Sequence, residues 1–517
     1  MKIAIIHPPQ LISSTNAVST VTMPPLGLAY LCGSLEAAGH EVRVIDAVGE
    51  GLGQFRPFGP YHLHGLSDET VVERVPADTD VIGVGLMFSC TWPATRELLR
   101  RIKATHPAKL LVLGGEHVTA LPWLTFLQSP VDVGVVGEGE ETLLELLTAL
   151  ESGRPLTEVP GLVLPGPERD VIRSPVRSRI RAIDEIPLPA WRDFDLEGYM
   201  AFNQPHGASR GRFIPMLATR GCPYECTFCA SPSMWTQRWL PRSPRLVVDE
   251  MERYVREYAV RDFQFEDLTA IVRADWVADF CNEIKRRGLE VTWQLPSGTR
   301  SEAMSRELAA LVRETGCHEF AYAPESGSPE MLRTIKKRVK LDRLYVSTRA
   351  ALDAGIRVGM FIILGFPQES LRQILQTYGL IARMAWLGAH HVNVGAYSPQ
   401  PNTALYHELV REGRIPPEPE LDDRFFFDLF GYLDLTEIRS WNARLGDRQL
   451  TVLVIAAYAL FFGVSFLRYP ARLWILLRDV FRPESEGKLG KYARSLWKTS
   501  RQLKAPAGGV ERSATRS

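Results

Sequence analysis

The sequence predicts an α/β protein with a doubly wound parallel sheet at the N-terminus, then a partial (β/α)6 barrel, then a helical C-terminal region. Two observations support this prediction. Short runs of branched apolar residues, typical of strands buried on both faces, recur along residues 1–150 and again along residues 209–405. Segments with helical periodicity separate these runs. The length of 517 residues leaves room for about three domains.

The first domain, residues 1–150, contains apolar runs without the polar alternation of a half-exposed strand. Helical segments join these runs, so we expect one parallel sheet with helices on both faces. Ligands of such sheets bind at the carboxyl ends of the strands. The predicted strands are 2–7, 41–46, 81–87, 110–113 and 131–136, and the predicted helices are 26–38, 95–105 and 141–151.

Residues 151–208 contain eight prolines and are predicted to form a connector. Strand-like runs alternate with helices in residues 209–405, which predicts a partial barrel with its chemistry at the carboxyl ends of the strands. Residues 406–502 are predicted to be mainly helical, and residues 503–517 to form a disordered tail. The predicted barrel strands are 215–218, 262–266, 291–294, 319–323, 357–364 and 391–396, with helices at 245–258, 274–287, 301–315, 341–354 and 371–387.

The composition excludes several classes of protein. Hydrophobic residues make up 45% and charged residues 23% of the chain, which are ordinary values for a globular protein. Lysine plus arginine and aspartate plus glutamate number 60 each, so no nucleic-acid partner is expected from the overall charge. The seven cysteines are too clustered for a secreted disulfide scaffold, and the N-terminus lacks the long apolar region of a signal peptide. We therefore expect a cytoplasmic protein.

Three cysteines, Cys222, Cys226 and Cys229, follow the first predicted barrel strand in the spacing CxxxCxxC. Three thiolates in one loop can bind three irons of a 4Fe–4S cluster and leave the fourth iron open to chelate a small molecule. The alternative is a structural zinc site, which needs four ligands and usually has CxxC pairs. Cys281 and Cys317 lie on predicted core elements and are expected to be buried apolar residues.

With the preceding Arg220-Gly221, the cysteines resemble the opening motif of the radical S-adenosylmethionine (SAM) enzymes. Short motifs at the ends of later barrel strands fit the same family. The resemblance implies a 4Fe–4S cluster on the three cysteines and cleavage of SAM to a 5′-deoxyadenosyl radical. It also implies an external electron donor of the flavodoxin or ferredoxin type. The implied SAM contacts are Phe228 at the adenine, Glu266 at the methionyl amine, Glu325 and Ser326 at the ribose and carboxylate, and Gly365 in the turn beneath the adenine.

The first domain leaves two alternatives, a Rossmann-like nucleotide-binding domain and a cobalamin-binding domain. The GxGxxG motif of the first alternative does not follow the first strand. The motifs at 24–28, 114–117 and 137–140 instead resemble the cobalamin-binding domain found ahead of radical SAM barrels. The resemblance implies that cobalamin is a cofactor and that it is contacted by Ser89, Gly114, Gly115 and His117.

One motif of many cobalamin-binding domains is missing. They carry DxHxxG after the first strand, and its histidine binds cobalt from below, whereas the loop here reads His7-Pro8-Pro9-Gln10-Leu11. No imidazole ligand to cobalt is therefore expected. The tRNA methylthiotransferases share the CxxxCxxC barrel but have three further cysteines in their first domain. Residues 1–150 contain only Cys32 and Cys90, which excludes that class.

Residues 450–467 form an uncharged run of 18 residues. A helix packed on the barrel, an interfacial helix and a membrane span would each explain this run. A basic amphipathic stretch, 468–482, follows, and the chain from Thr451 onward carries a net charge of +8. Peripheral membrane association through residues 450–482 is therefore predicted.

These observations favour a cobalamin-dependent radical SAM enzyme, and among these a C-methyltransferase that methylates an unactivated carbon through the 5′-deoxyadenosyl radical and methylcobalamin. The predicted substrate is a small molecule or a lipid-like compound. A second hypothesis is a cyclase or rearrangement enzyme of the same family that acts on a tetrapyrrole or a lipid. A third is a cobalamin-binding sensor with a vestigial cluster, which would release neither 5′-deoxyadenosine nor S-adenosylhomocysteine from SAM.

Overall fold

The computed structural model describes residues 1–13, 21–431 and 438–475. The predicted tail and the end of the predicted basic stretch lie outside the described residues. Within them, the chain forms two parallel sheets surrounded by helices and a helical C-terminal part. The predicted fold class is thereby confirmed.

The first part of the chain alternates strands and helices as predicted. Its elements are β1 (Lys2–His7), β2 (Gln10–Ile12), α1 (Leu26–Ala37), β3 (Glu41–Asp46), β4 (Phe55–Phe58), β5 (Tyr61–His64), α2 (Asp68–Glu73), β6 (Val81–Gly85), α3 (Trp92–Thr105), β7 (Leu110–Gly114), α4 (Glu116–Ala120), α5 (Pro122–Gln128), β8 (Val133–Val135), α6 (Gly139–Ser152), β9 (Leu162–Pro165) and β10 (Val171–Arg173). All the predicted strands are present, while β2, β5 and β4 form a separate antiparallel sheet that the sequence pattern did not predict.

The first sheet is doubly wound. Strands β3, β1, β6, β7 and β8 are parallel neighbours in this order. The side chains of β1 explain its continuous apolar run, since Ile3 and Ile5 face one hydrophobic core whereas Ala4 and Ile6 face the other. Because both faces of the strand are covered, its central positions are all apolar.

Part of the predicted connector belongs to this sheet. Strands β9 and β10 add to its edge beside β8 in antiparallel orientation. They have only four and three residues, and prolines lie within and around them, so their strand pattern is too short to stand out. Residues 162–173 therefore extend the first sheet, although the sequence predicted a connector here.

The second series forms the partial barrel. Its elements are α7 (Leu196–Phe202), β11 (Phe213–Met216), β12 (Thr219–Arg220), α8 (Ser231–Trp235), β13 (Leu240–Pro241), α9 (Pro244–Tyr258), β14 (Asp262–Phe265), α10 (Ala274–Arg287), β15 (Thr292–Thr299), α11 (Arg306–Glu314), β16 (Cys317–Glu325), α12 (Pro329–Thr334), α13 (Leu341–Asp353), β17 (Arg357–Leu364), α14 (Leu371–Leu387) and β18 (His391–Ala396). Six of these strands form a parallel sheet in the order β11-β14-β15-β16-β17-β18. The order follows the chain, and the sheet ends at β11 and β18, as expected for a partial barrel.

The C-terminal part contains α15 (Ala404–Arg411), α16 (Asp423–Phe430) and α17 (Asp447–Arg468). Helix α17 is long and apolar enough to cross a membrane, but one of its faces packs against α14 and β18. Only 28% of its most apolar window is buried, so its opposite face is both apolar and exposed. The buried side chains of α17, spaced three or four residues apart, are Leu450, Val454, Ala457, Phe461 and Ser465.

Candidate functional site

The three cysteines lie in a loop, here called the cluster loop (221–230), that connects β12 to α8. Gly221 opens the loop with a φ of +83°, and a Cβ atom there would lie 2.2 Å from the Arg238 carbonyl oxygen. Only glycine fits such a position. Further along, the Thr227 N–H donates a 3.1 Å hydrogen bond to the Ile335 carbonyl oxygen, which fixes the loop to the end of α12.

The thiols of Cys222, Cys226 and Cys229 lie near enough to one another to influence one another's pKa. Burial raises the pKa of each thiol, and the neighbouring sulfurs add to this effect at Cys226 and Cys229. The pKa of Cys229 thereby reaches about 11. In the described part of the chain, no three cysteine, histidine or acidic side chains stand close enough to bind one metal ion. A zinc ion would need four ligands around one centre, whereas a 4Fe–4S cube places its three thiolates on separate irons, so three thiols in one loop suit a cluster.

A lysine that the sequence pattern did not single out lies beside the cysteines. The Lys337 side chain is 10% exposed, and its Nζ atom lies 2.9 Å from Glu325 Oε1 and 5.9 Å from the ring centroid of Phe228. Its charge lowers the pKa of all three thiols and so opposes the effect of burial. Glu325, at the end of β16, has a φ of +65°, a strained conformation that is common at functional sites. Two predicted SAM contacts, Phe228 and Glu325, thus lie beside the same cation.

Two further predicted SAM contacts lie in tight turns after β16 and β17. Ser326 is fully buried, and its hydroxyl lies 3.1 Å from Thr377 Oγ1, so it stabilises its turn. Gly365 has a φ of +82°, and its N–H donates a 2.7 Å hydrogen bond to Glu369 Oε2. A Cβ atom on Gly365 would lie 2.6 Å from the Leu450 side chain. The turn expected beneath the adenine therefore packs directly against α17.

Two acidic residues, Glu266 and Asp267, follow β14, and the side chain of Glu266 is the one that is partly exposed. Its Oε2 atom is 2.9 Å from His206 Nδ1 and accepts a 2.7 Å hydrogen bond from Ser297 Oγ. His206 comes from the connector, and the sequence pattern did not identify it because nothing in that segment places it beside the barrel. The adjacent Asp267 is buried, accepts a hydrogen bond from the Thr219 hydroxyl, and has its pKa raised by burial to about 6.

In the first domain, Ser89 and His117 lie beyond the carboxyl ends of β6 and β7. Both are buried, and 3.0 Å separates Ser89 Oγ from His117 Nδ1. The His117 ring stacks on Trp92 with 4.3 Å between centroids, and burial lowers its pKa to about 3. His117 is buried between Trp92 and Ser89, and the cofactor contact expected of it stays a prediction.

Gly114 and Gly115 differ in the space that surrounds their Cα atoms. Gly115 has a φ of +115°, and a Cβ atom there would lie 2.3 Å from the Leu86 carbonyl oxygen. The backbone crossing itself therefore requires this glycine. A Cβ atom on Gly114 would meet only Val135, at 3.8 Å, within the described residues. The open approach that a bulky ligand needs thus exists at Gly114.

Other features of this sheet end fit a large cofactor. Within the described residues, Glu116 Oε1 and His117 Nε2 are buried without a hydrogen-bond partner, and burial raises the pKa of Glu116 to about 7. Met87 and Phe88, directly after β6, are 62% and 58% exposed. Exposed apolar side chains at a ligand-binding sheet end are typical of a surface that packs against a ligand. The residues present therefore fit cobalamin.

His7, at the end of β1, is held by an acidic partner. Its Nδ1 atom lies 2.7 Å from Asp46 Oδ1, and the Tyr199 hydroxyl donates a 2.8 Å hydrogen bond to Asp46 Oδ2. Burial raises the pKa of Asp46, but His7 and the hydrogen bonds outweigh burial and hold this pKa below its usual value. The Asp46 carboxylate thus fixes the orientation of the His7 ring, and the absence of an imidazole ligand to cobalt stays a prediction.

Comparison with known proteins identifies both parts of the chain. The family model of the radical SAM superfamily matches residues 216–381, and that of the B12 binding domain matches residues 12–147. The chain is 30% identical over 413 residues to an uncharacterized methyltransferase of Pyrococcus horikoshii, covering 79% of this chain and 83% of the relative. It is 27% identical over 478 residues to an anaerobic magnesium-protoporphyrin IX monomethyl ester cyclase of Rubrivivax gelatinosus, covering 91% of this chain and 79% of the cyclase.

A solved structure shows the same fold. The radical SAM methyltransferase TsrM of Kitasatospora setae, with cobalamin and a [4Fe-4S] cluster bound, matches with a TM-score of 0.66 at 17% sequence identity. The match covers 97% of this chain and 99% of TsrM. Both sheets and the C-terminal helices thus have counterparts in one known architecture.

Proposed function

The chain belongs to the cobalamin-dependent radical SAM methyltransferases, and we propose that it methylates an unactivated carbon of a small-molecule or lipid-like substrate. Its cofactors are a 4Fe–4S cluster, SAM and cobalamin. When bound, they supply a radical that abstracts hydrogen from the substrate and a methyl group for the resulting carbon radical. The observation that carries the proposal is the gathering of three thiols, Lys337 and two acidic side chains at the carboxyl ends of the barrel strands.

The chain's own residues have separate tasks in this proposal. Cys222, Cys226 and Cys229 hold the cluster, which an external donor of the flavodoxin or ferredoxin type reduces. Lys337 donates a hydrogen bond to Glu325 and holds this side chain in place beside the SAM site. The remaining proposed contacts are Phe228, Glu266, Glu325, Ser326 and Gly365 for SAM, and Ser89, Gly114, Gly115 and His117 for cobalamin; Ser89 Oγ and His117 Nδ1 lie 3.0 Å apart.

Anaerobic reconstitution with iron, sulfide, hydroxocobalamin and SAM tests the proposal. In the presence of cell extract, the reduced enzyme should form S-adenosylhomocysteine, 5′-deoxyadenosine and a product heavier by one methyl group. A variant with Cys222, Cys226 and Cys229 all replaced by Ala is the control and should form no 5′-deoxyadenosine. If the wild-type enzyme forms neither SAM-derived product, the protein is a sensor and not an enzyme.

The cyclase hypothesis stays open as a second candidate because a relative named as a cyclase matches 91% of this chain. The ratio of SAM-derived products separates the two activities. A methyltransferase forms one S-adenosylhomocysteine for each methyl group that appears in the product. A cyclase turns over with 5′-deoxyadenosine alone, and its product has gained a ring and no methyl group.

The exposed apolar side chains on the outward side of α14 and α17 support peripheral attachment of the protein to a membrane. Arg468 lies 5.4 Å over the Trp386 ring at one end of this side, an aromatic and cationic pair typical of a membrane interface. Arg472, which belongs to the predicted basic stretch 468–482, donates hydrogen bonds to the Gly388 and Ala389 carbonyl oxygens and thereby caps α14. The side chains of this face, each about half exposed or more, are Leu371, Leu375, Trp386, Val452, Ile455 and Leu467.

Co-sedimentation with anionic vesicles at low and high salt tests this attachment. The full-length protein should bind phosphatidylglycerol vesicles at low salt, and Val452→Gln combined with Ile455→Gln should weaken binding. Val346→Gln is the matched control, since Val346 is 60% exposed on a different helix, α13. Absence of binding by the full-length protein at low salt would contradict the attachment.

A further inference from the structure

Four charged side chains, here called the interdomain ion network, meet between the first domain and the cluster loop. Glu138 and Glu140 lie at the start of α6, Arg179 lies in the connector, and Arg220 ends β12. The Arg220 guanidinium lies 2.5 Å from Glu140 Oε1 and 3.4 Å from Glu138 Oε1, while Arg179 Nε lies 3.0 Å from Glu138 Oε2. These side chains are only 4–11% exposed. Two positive and two negative charges compensate one another, which is what buried charges require.

Arg220 connects the two sites of the enzyme by its position in the chain. It stands two residues before Cys222, so its backbone determines where the cluster loop begins. Its side chain reaches the turn after β8, at the carboxyl end of the first sheet, where cobalamin is expected. The Tyr30 ring of α1 covers the guanidinium at 5.1 Å. One side chain of the barrel thus contacts the first domain at Tyr30, Glu138 and Glu140.

Arg179 strengthens the same contact from the connector. Its Nη1 atom donates hydrogen bonds of 2.5 Å to the Trp235 carbonyl oxygen and 3.1 Å to the Arg238 carbonyl oxygen, both beyond the far end of the cluster loop. Its partner Glu138 also accepts a 2.9 Å hydrogen bond from the Ile180 N–H. The network therefore holds the cluster loop from both ends against the turn after β8.

We propose that Arg220 is a positioning residue that sets the separation between the SAM site in the barrel and the cobalamin site in the first domain. This inference rests on the proposed function, in which SAM bound in the barrel donates its methyl group to cobalt. In that step the bond between the sulfonium sulfur and the methyl carbon breaks, the electron pair of cobalt(I) forms the new bond to carbon, and S-adenosylhomocysteine leaves. The step crosses the domain boundary, whereas reductive cleavage of SAM takes place within the barrel.

The variant Arg220→Met/Glu140→Gln removes one charge of each sign, so the remaining pair of Arg179 and Glu138 stays balanced. The experiment uses reconstituted full-length enzyme with SAM and titanium(III) citrate as reductant. Formation of S-adenosylhomocysteine should fall about 100-fold, the cost of a displacement near 1 Å, while 5′-deoxyadenosine formation and hydroxocobalamin affinity stay at wild-type levels. Arg220→Lys keeps the charge, but the lysine side chain lacks the planar fork that binds two carboxylates. The rate of S-adenosylhomocysteine formation in this variant should therefore lie between those of the wild type and the double variant.

The matched control is Arg242→Met/Glu250→Gln. This buried pair, with 2.5 Å between Arg242 Nη1 and Glu250 Oε2, joins two elements of the barrel itself. It should leave the ratio of the two SAM-derived products unchanged. An equal loss of both products in the network variant, or the same change of ratio in the control, would overturn the proposal.

Hydrogen exchange provides a readout that needs no cofactor. In the apoprotein, the amides of the cluster loop and of the first turn of α6 should exchange faster in the network variant than in the wild type or in the control. Unchanged exchange in the network variant would show that Arg220 does not hold the two domains together. Failure of the wild-type enzyme to bind cobalamin or to cleave SAM would contradict the proposed function instead, and the exchange result would still decide the role of Arg220.

Discussion

At the residue scale, Lys337 and Glu325 form a buried pair whose members depend on each other. In Lys337→Met, the Glu325 carboxylate loses the partner that lies 2.9 Å away, and the free energy of unfolding should fall by about 3–5 kcal/mol. The double variant Lys337→Met/Glu325→Gln leaves no unpaired charge and should recover most of that stability. The affinity of the double variant for SAM, measured by calorimetry on the reconstituted protein, should nevertheless be lower than that of the wild type. SAM binding at wild-type strength in the double variant would show that the pair is only structural.

Glu369 predicts a specific pH dependence of stability. Burial raises the pKa of this carboxyl from 4.5 to about 7, so the fold favours its protonated form. Its stabilising contribution is therefore complete below about pH 4.5 and is lost as the pH rises towards 7. Glu369→Gln keeps an acceptor for the Gly365 N–H and cannot ionise, so at pH 8 it should exceed the wild type by up to about 3 kcal/mol.

Urea unfolding at pH 5 and pH 8 measures this difference. The gain of Glu369→Gln over the wild type should be small at pH 5 and large at pH 8. Glu330→Gln, at an exposed position on α12, is the control and should show the same pH dependence as the wild type. If Glu369→Gln lost as much stability as the wild type between pH 5 and pH 8, the raised pKa of Glu369 would not explain the pH dependence.

Some of the proposed site residues can be found from the sequence alone, whereas others become visible only in the structure. The cysteines have a characteristic spacing, Glu266 ends a predicted strand, and Glu325 and Gly365 follow predicted strands, so the sequence alone was enough to propose them as site residues. Lys336 and Lys337 are adjacent residues of the same type, so the sequence does not distinguish them. Only the fold shows that Lys337 lies beside the thiols and Lys336 at the surface. His206 reaches Glu266 from the connector, a contact between residues 60 positions apart in the chain. Contacts of this kind depend on tertiary packing, which periodicity does not encode.

At the element scale, α17 packs against the barrel on one face and, within the described residues, is exposed on the other. Leu450 is fully buried against Gly365, so Leu450→Ala should lower the free energy of unfolding by about 2–5 kcal/mol. Val452 is 64% exposed on the other face, so Val452→Ala should change it by no more than about 0.5 kcal/mol. Urea unfolding of the two variants measures the contrast. Similar effects of the two substitutions would show that α17 does not dock through the Leu450 face.

The prediction of elements succeeded where strands are long and continuously apolar. The barrel strand Arg357–Leu364 has the predicted bounds, because it is apolar without interruption from Val358 to Leu364. The strand His391–Ala396 also has the predicted bounds, although Asn393 interrupts its apolar residues. The strands that were missed, Gln10–Ile12 and Val171–Arg173 among them, have only three residues each. Such short strands are stabilised by the neighbours they pair with and have no periodicity of their own.

At the scale of the whole molecule, the sequence predicts two domains but not how they face each other. Both sheets present the carboxyl ends of their strands as ligand-binding edges. The contact that brings these edges together runs through Arg220 and Glu140, 80 positions apart, and through short segments of the connector. Neither residue carries a pattern that would pair it with the other. The relative placement of the two cofactor sites therefore becomes visible only in the structure.

The two sites should nevertheless be separable by mutation, because their ligands come from different domains. Replacing Cys222, Cys226 and Cys229 together by Ala should abolish the brown absorbance of the cluster and the formation of 5′-deoxyadenosine. Hydroxocobalamin binding should remain, because its proposed contacts lie after β6 and β7. Cys281→Ala, at a buried position on α10, is the control and should keep both cofactors. Cleavage of SAM by the triple variant would refute the cluster assignment, and loss of cobalamin binding would show that the first domain depends on the cluster loop for its fold.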